Sequence, residues 1–192
     1  MEFLDLKKTS LISRIDSLSM FSKQLKNYQN EQGVNKDRYQ LIPRCLIFIK
    51  QNDCFLLLKG SPQKKIWANK YNGVGGHIEH DEDIKSAAQR ELFEETGLTS
   101  NLDLRGIITV DPGGDVGVCI FVFTGDSYFG DLIPSKEGEL HWVKQNELQN
   151  LPLVEDVQVI LDQIEKMQKN SPPFIAHSSY NADGILTVNF RD

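Results

Sequence analysis

The sequence has few cysteines, no long apolar run and no excess of positive charge. Its three cysteines, Cys45, Cys54 and Cys119, form no CxxC pair and stand among apolar neighbours. That excludes a disulfide-stapled miniprotein and makes buried thiols the expectation. No segment approaches the ~20 apolar residues that span a bilayer. The N-terminus shows nothing like the apolar core of a signal peptide. A cytoplasmic home without a membrane partner is therefore expected. Lys and Arg number 21 against 27 Asp and Glu, a net charge of −6. Duplex-binding proteins more often carry a basic surface, so no stable nucleic-acid partner is expected. A nucleotide is compatible, because a bound divalent cation can invert local electrostatics. Repeats and low-complexity segments are also missing. What is present is an ordinary globular composition, 192 residues with 40% hydrophobic and 25% charged, enough for a sizeable core.

Periodicity divides the chain. Leu11, Ile15, Leu18, Phe21, Leu25 and Tyr28 recur at helical spacing, so residues 1–38 read as a helical arm, Ser10 to Tyr28, with a linker from Asn30 to Arg38. From Leu41 short apolar runs take over. Arg44–Lys50 and Cys54–Lys59 read as a hairpin, and Gly106–Val110, Gly117–Thr124 and Glu139–Val143 as further strands. Gly60 to Gly76 reads as a loop, Asp83–Thr96 and Leu153–Gln168 as helices, and His177–Tyr180 with Gly184–Phe190 as a last hairpin. The expected division is an arm over 1–38, a domain over 39–170 and a hairpin extension over 171–192. Strands mixed with helices point to α/β or α+β.

The helix at Asp83–Thr96 carries the chemistry. Ile84, Ala87, Ala88 and Leu92 share one face, and that face continues into Glu91 and Glu95 with Glu94 at its edge. A surface helix ordinarily turns its acids away from its apolar stripe. Glu91, Glu94 and Glu95 are i, i+3 and i+4 neighbours near the helix C-terminus, where repulsion and the macrodipole both disfavour them. A divalent cation would relieve that cost, and oxygen ligands suit Mg²⁺ or Mn²⁺. A solvated acidic helix end is the competing reading. The flanks favour the cation. Gly97 and Leu98 fall where a left-handed cap and its apolar contact belong, and Gly75-Gly76 permits close backbone approach.

Gly76, five residues, Glu82, seven residues, then Arg90-Glu91-Leu92-Phe93-Glu94-Glu95-Thr96-Gly97-Leu98 resembles the Nudix box, with every specified position filled. The resemblance implies an α/β/α sandwich around a mixed sheet and a metal-dependent hydrolase of a nucleoside diphosphate linked to another group. It implies Glu91, Glu94 and Glu95 as metal ligands, with Glu91 also a candidate to orient or deprotonate the attacking water. It adds the Gly75 carbonyl as a further ligand. Arg90 would pair with Glu82 and fix the loop to the helix. Glu137, five residues before Trp142, is similar to an outlying metal-site glutamate of MutT-type members, with Glu139 as its competitor. His77 stands where many relatives have Lys, and His80-Asp81 replaces a glycine-containing turn. Glu79 is a further acid facing that side.

Asn72-Gly73-Val74-Gly75-Gly76 looks like the branch that clears oxidised purine nucleoside triphosphates. That likeness implies Asn72 as a base reader and Glu155 and Asp156 as an acidic pair facing the base, with Gly76 beside the substrate. An Asn before Gly also forms turns, and acids also suit a helix first turn. The aromatic before the pair is replaced by Val154 or Leu153. Trp67 and Tyr71 are candidates for stacking, with core roles favoured. The expected reaction releases monophosphate and pyrophosphate from a purine triphosphate such as 8-oxo-dGTP. The alternatives are an ADP-ribose or other dinucleotide hydrolase and a nucleotide-sensing module without catalysis. A homodimer through the arm or the last hairpin is the expected assembly.

Overall fold

The computed structural model describes residues 20, 22–27, 31–35 and 37–191. The chain divides into two units, residues 1–39 and 40–192. In the first, residues 22–27 have helical backbone. Leu11, Ile15, Leu18, Phe21 and Tyr28 of the expected arm helix lie outside the described residues.

The second unit is built on one mixed sheet. Its strands are β1 (Gln40–Gln51), β2 (Cys54–Gly60), β3 (Tyr71–Asn72), β5 (Asp103–Asp111), β6 (Val116–Gly125), β8 (Gly138–Lys144), β9 (Phe174–Tyr180) and β10 (Leu186–Arg191). The order is β10-β9-β5-β6-β1-β2-β3, and β8 pairs with β2 from Cys54↔Lys144 to Gly60↔Gly138. β1 runs parallel to β6 and β5 parallel to β9; the other pairs are antiparallel. A separate two-stranded ribbon joins β4 (Thr99–Ser100) to β7 (Tyr128–Phe129). The helices are α1 (Ile84–Thr96) and α2 (Val157–Lys166), with a 3₁₀ helix over Gln145–Asn150.

The two faces of β1 explain the layers. Successive strand residues point to opposite faces. Leu46 and Phe48 join the core under α2 with Phe55, Leu57, Ile108, Val157, Ile160 and Leu161. Cys45, Ile47 and Ile49 join the core under α1 with Leu56, Val74, Ala88, Leu92 and Phe123. An unbroken apolar run buried on both sides is the signature of a central strand. The result is an α/β/α sandwich around a mixed sheet. The last hairpin belongs to this sheet, since β9 pairs along β5 from Gly106↔Phe174 to Asp111↔Ser179.

Several expectations are corrected. The C-terminal helix starts at Val157, not Leu153. Tyr71 N–H donates to the Pro152 carbonyl and Val154 N–H to the Tyr71 carbonyl, so residues 152–154 bond to β3 instead of entering a helix. The expected loop Gly60–Gly76 holds β3. β1 begins at Gln40, earlier than expected, because β6 supports it from Gln40↔Val116 onward. Of the three free thiols only Cys45 is buried; Cys54 and Cys119 are half-buried.

Candidate active site

The site grows from the segment between β3 and α1. Val74 and Ile47 exchange backbone hydrogen bonds (2.7 and 3.1 Å), Cys45 N–H donates to the Gly76 carbonyl (2.9 Å) and Ile78 N–H to the Pro43 carbonyl (3.2 Å). This straps the loop onto β1. Side chains would block it. A Cβ on Gly75 would lie 2.3 Å from the Cys45 carbonyl oxygen, and one on Gly76 would lie 2.4 Å from Glu91 Oε1. The Glu91 carboxylate thus rests directly on the Gly76 backbone.

α1 is fixed at both ends. Asp83 accepts from the backbone N–H of Lys85 and Ser86 (2.8 and 3.1 Å), an N-cap. Gly97 closes the helix at φ 76°, its N–H donating to the Phe93 carbonyl. Arg90 then ties loop to helix. Its Nε and Nη2 donate to the two oxygens of Glu82 (3.1 and 2.7 Å), and Nη2 also donates to the His77 carbonyl (3.1 Å). Glu82 accepts in addition from Glu79 N–H (2.7 Å). The Arg90 bonds hold the Glu82 carboxyl below the usual carboxylate range. Nη1 reaches Glu91 Oε1 at 2.9 Å and Glu94 Oε2 at 3.2 Å. Asp81 takes a left-handed conformation (φ 67°) in this turn, a backbone region that favours glycine. His77 and Glu79 are exposed on this loop.

The three helix acids differ in setting. Glu94 is exposed, Glu91 is mostly buried, and Glu95 is only 7% exposed. Burial pushes the Glu95 carboxyl up to about 7, and the charges of Glu137 and Glu91 push the same way. Gly75 N–H, donating to Glu95 Oε2 at 3.1 Å, works against this, as does Lys64. A buried carboxylate among like charges costs stability unless a cation or proton joins it. Among the described residues no three His, Cys, Asp or Glu side chains close into metal-holding geometry, and the Arg90 guanidinium bridges Glu91 and Glu94. The donor set nevertheless fits a hard divalent cation: all oxygen, mixed in exposure, one member buried, and a glycine cradle that a Cβ would fill.

A cleft lies beside Gly75. Two adjoining cavities share Arg44, Trp67, Asn72, Gly73 and Gly75 in their walls. One continues to Cys45, Leu46, Ile120, Val154 and Asp156; the other to Leu58, Gly60, Lys64, Lys70 and Glu137. Asn72 Oδ1 accepts from Gly73 N–H (2.8 Å), a turn bond that leaves its amide donors for other partners. Asp156 is 8% exposed, and its carboxyl meets only its own backbone N–H. Burial raises its pKa, with Glu155 adding to the rise. Glu155 itself turns to the rim, paired with Lys70 and held below the usual carboxylate range by it. Glu137 shares the cavity with Gly75. Glu139 is on the exposed side beside His141 and lines a different hollow.

The sequence pattern misses two cleft residues, Arg44 and Lys64, and favours the wrong role for a third. Trp67, a stacking candidate with a core role favoured, is 37% exposed, lines both cavities and holds a left-handed backbone (φ 61°). A bulky residue there is uncommon, and such strain clusters at functional sites. Tyr71 does pack against the core. Arg44 and Lys64 carried no local signal, since only the pairing of β1, the loop and β8 brings them together.

Fold and site together define a sandwich protein whose chemistry is concentrated on one loop–helix–loop unit. The family model described as NUDIX domain matches residues 39–164. The chain belongs to the Nudix hydrolase family. It is 34% identical over 135 residues to the uncharacterised Nudix hydrolase YvcI of Bacillus subtilis, covering 67% of this chain and 81% of that one. It is 35% identical over 88 residues to an oxidized purine nucleoside triphosphate hydrolase of Danio rerio, 45% of this chain and 56% of that protein's length. The structure of the mutator MutT protein from Bacillus halodurans superposes with a TM-score of 0.65 at 24% identity, covering 78% of this chain and 97% of that one. That likeness concerns the fold.

Proposed function

We propose that this protein is a Mg²⁺-dependent pyrophosphohydrolase of the cytoplasm that cleaves a purine nucleoside triphosphate, 8-oxo-dGTP among the candidates, to monophosphate and pyrophosphate. One observation carries the reading: Asp156, which is buried, and Glu137 line two adjoining cavities that share Asn72 and Gly75, and Gly75 N–H donates to Glu95 of the Nudix helix. Glu91, Glu94, Glu95, Glu137 and the Gly75 carbonyl would hold the cation. When bound, it neutralises phosphate oxygens and acidifies a water. Mn²⁺ would substitute, since it shares the preference for oxygen donors.

The chain's own groups do the rest. Glu91, fixed on Gly76 by its backbone contact, orients the attacking water and accepts its proton. Arg90 and Glu82 keep the loop in register with α1. At the other end Asn72 offers amide donors, and the buried Asp156 carboxyl, whose pKa burial raises, offers oxygen acceptors. Such a pair suits the carbonyl and ring-nitrogen edge of a purine. Trp67 offers an aromatic face at the mouth. Glu155 acts through Lys70 at the rim instead of touching the base. Copies would pair through the arm over 1–38 or through the last hairpin, whose β10 ends the sheet order.

The test is a nucleotide panel with Mg²⁺, products separated by chromatography: ordinary triphosphates, 8-oxo-dGTP, ADP-ribose and a dinucleotide polyphosphate. Monophosphate plus pyrophosphate from one purine triphosphate supports the reading. Cleavage of ADP-ribose alone, or nucleotide binding without turnover, overturns it.

A further inference from the structure

We infer that Lys64 and Glu137 form an exchange switch: the cation that claims Glu137 releases Lys64, and Lys64 then holds the substrate's phosphates. The inference rests on the proposal that Glu137 is a metal ligand and goes beyond it.

The geometry is specific. Lys64 Nζ lies 2.5 Å from Glu137 Oε2. Both side chains line the cavity that contains Gly75, and both act electrostatically on Glu95. They come from segments that the fold ties together. Ser61 N–H donates to the Glu137 carbonyl (2.9 Å), and Gly138 lets β8 press on β2, since a Cβ there would lie 2.0 Å from the Lys59 carbonyl oxygen. At the other end of the Lys64 loop, Gly60 N–H donates to the Lys70 carbonyl and Asn69 N–H to the Gly60 carbonyl (both 3.0 Å). The loop's base is therefore anchored, while Lys64 itself is held in the cleft through Glu137.

The cations of this cleft differ in what they are tied to. Lys70 is paired with Glu155 at the rim, away from the helix acids. Arg44 lines both cavities and has no ion pair among the described residues. Lys64 alone among these three is paired to a carboxylate beside the buried Glu95. An ammonium and a divalent cation compete for that carboxylate, because each repels the other at contact distance. A divalent cation has the stronger claim on a hard oxygen. Once displaced, the ammonium sits on a flexible stem beside Gly75, where a polyphosphate is the available anion. Without the cation, Lys64 masks Glu137 and offers phosphate little. With it, the cleft gains a phosphate donor. Metal and substrate then assist each other's binding, and by linkage the effect is reciprocal.

The experiment uses the full chain and reads Mn²⁺ binding without nucleotide, by electron paramagnetic resonance of the free ion. Lys64→Met should bind Mn²⁺ about two- to five-fold more tightly, the range an exposed ion pair allows. Glu137→Gln should bind it more weakly. In the Glu137→Gln background, Lys64→Met should add no tightening, which separates loss of the pair from a general loss of positive charge. With nucleotide and metal, Lys64→Met should raise KM about tenfold, more than it lowers kcat, and Lys64→Arg should restore KM. Unchanged Mn²⁺ affinity in Glu137→Gln removes Glu137 from the metal site, and the switch with it. Weakened affinity there, but unchanged or weaker affinity in Lys64→Met, overturns the switch and leaves the ligand reading standing. Tightening by Lys64→Met that persists in the double variant also overturns it, as does an unchanged KM.

Discussion

Glu95→Gln should make the metal-free protein more stable, and only above a definable pH. The wild-type carboxyl is nearly buried and lifted from about 4.5 to about 7, chiefly by desolvation. Because its folded pKa is raised, the native state holds the proton more tightly than the unfolded chain. Its contribution is most favourable below the unfolded value and is lost as pH rises through about 7. A rise of this size corresponds to an upper bound of about 3 kcal/mol between the two protonation states. Gln keeps the shape and an acceptor for Gly75 N–H, but never acquires the charge. The variant should therefore match wild type near pH 4.5 and gain up to about 3 kcal/mol by pH 8. Urea unfolding in EDTA, followed by fluorescence from pH 4.5 to 8, measures this as a pH-dependent separation of midpoints. Saturating Mg²⁺ should narrow the separation by stabilising the wild-type native state. A gain equal at all pH values, or a loss above pH 7, would refute the claim that a desolvated charge is stored at Glu95.

Glu94→Gln should abolish most metal-dependent turnover while leaving the unfolding midpoint within about 0.5 kcal/mol, because the side chain is exposed; full retained activity excludes Glu94 as a ligand. Gly76→Ala drives a methyl into Glu91 Oε1, so Mn²⁺ affinity should fall about tenfold or more with the fold retained, by titration and circular dichroism. Asn72→Ala should flatten the preference among purine triphosphates more than it lowers turnover of a poor substrate; an unchanged kcat/KM profile would discard Asn72 as a base reader. Asp83→Ala removes the acceptor of two helix N–H groups and should cost about 1 kcal/mol in chemical denaturation, with smaller effects on kcat.

What could be read from the sequence is what local chemistry decides. Gly97 closes α1 as read, because capping depends on residues a few positions apart. The run Arg44–Lys50 reads as a buried strand because its interior is apolar on both faces. The carboxylates of α1 follow from helical spacing alone. Other features depend on pairing between distant segments. Leu153 and Val154 carry helical-looking apolar spacing, yet Tyr71 takes their backbone neighbours into a bridge. Glu137 and Glu139 are both acids in one strand region; the register that sets Gly138 against Gly60 and Glu139 against Lys59 separates them. Glu155 and Asp156 are adjacent in sequence, but one is paired with Lys70 at the rim and the other is buried in the cleft wall.

The same helix also shows why stability and site geometry are in tension here. Ala88 and Leu92 bury completely against the sheet, and that docking carries Glu95, on the same stripe, under Gly75. The apolar contacts are thus what force the carboxylate out of water. A more stable sequence would continue the stripe with a hydrophobic residue at 95. Such a change would keep α1 docked, remove the loop's bond to it through Gly75 N–H, and take an oxygen from the cluster. An acid in this position is the kind of local cost that a folded chain tolerates where its chemistry is done.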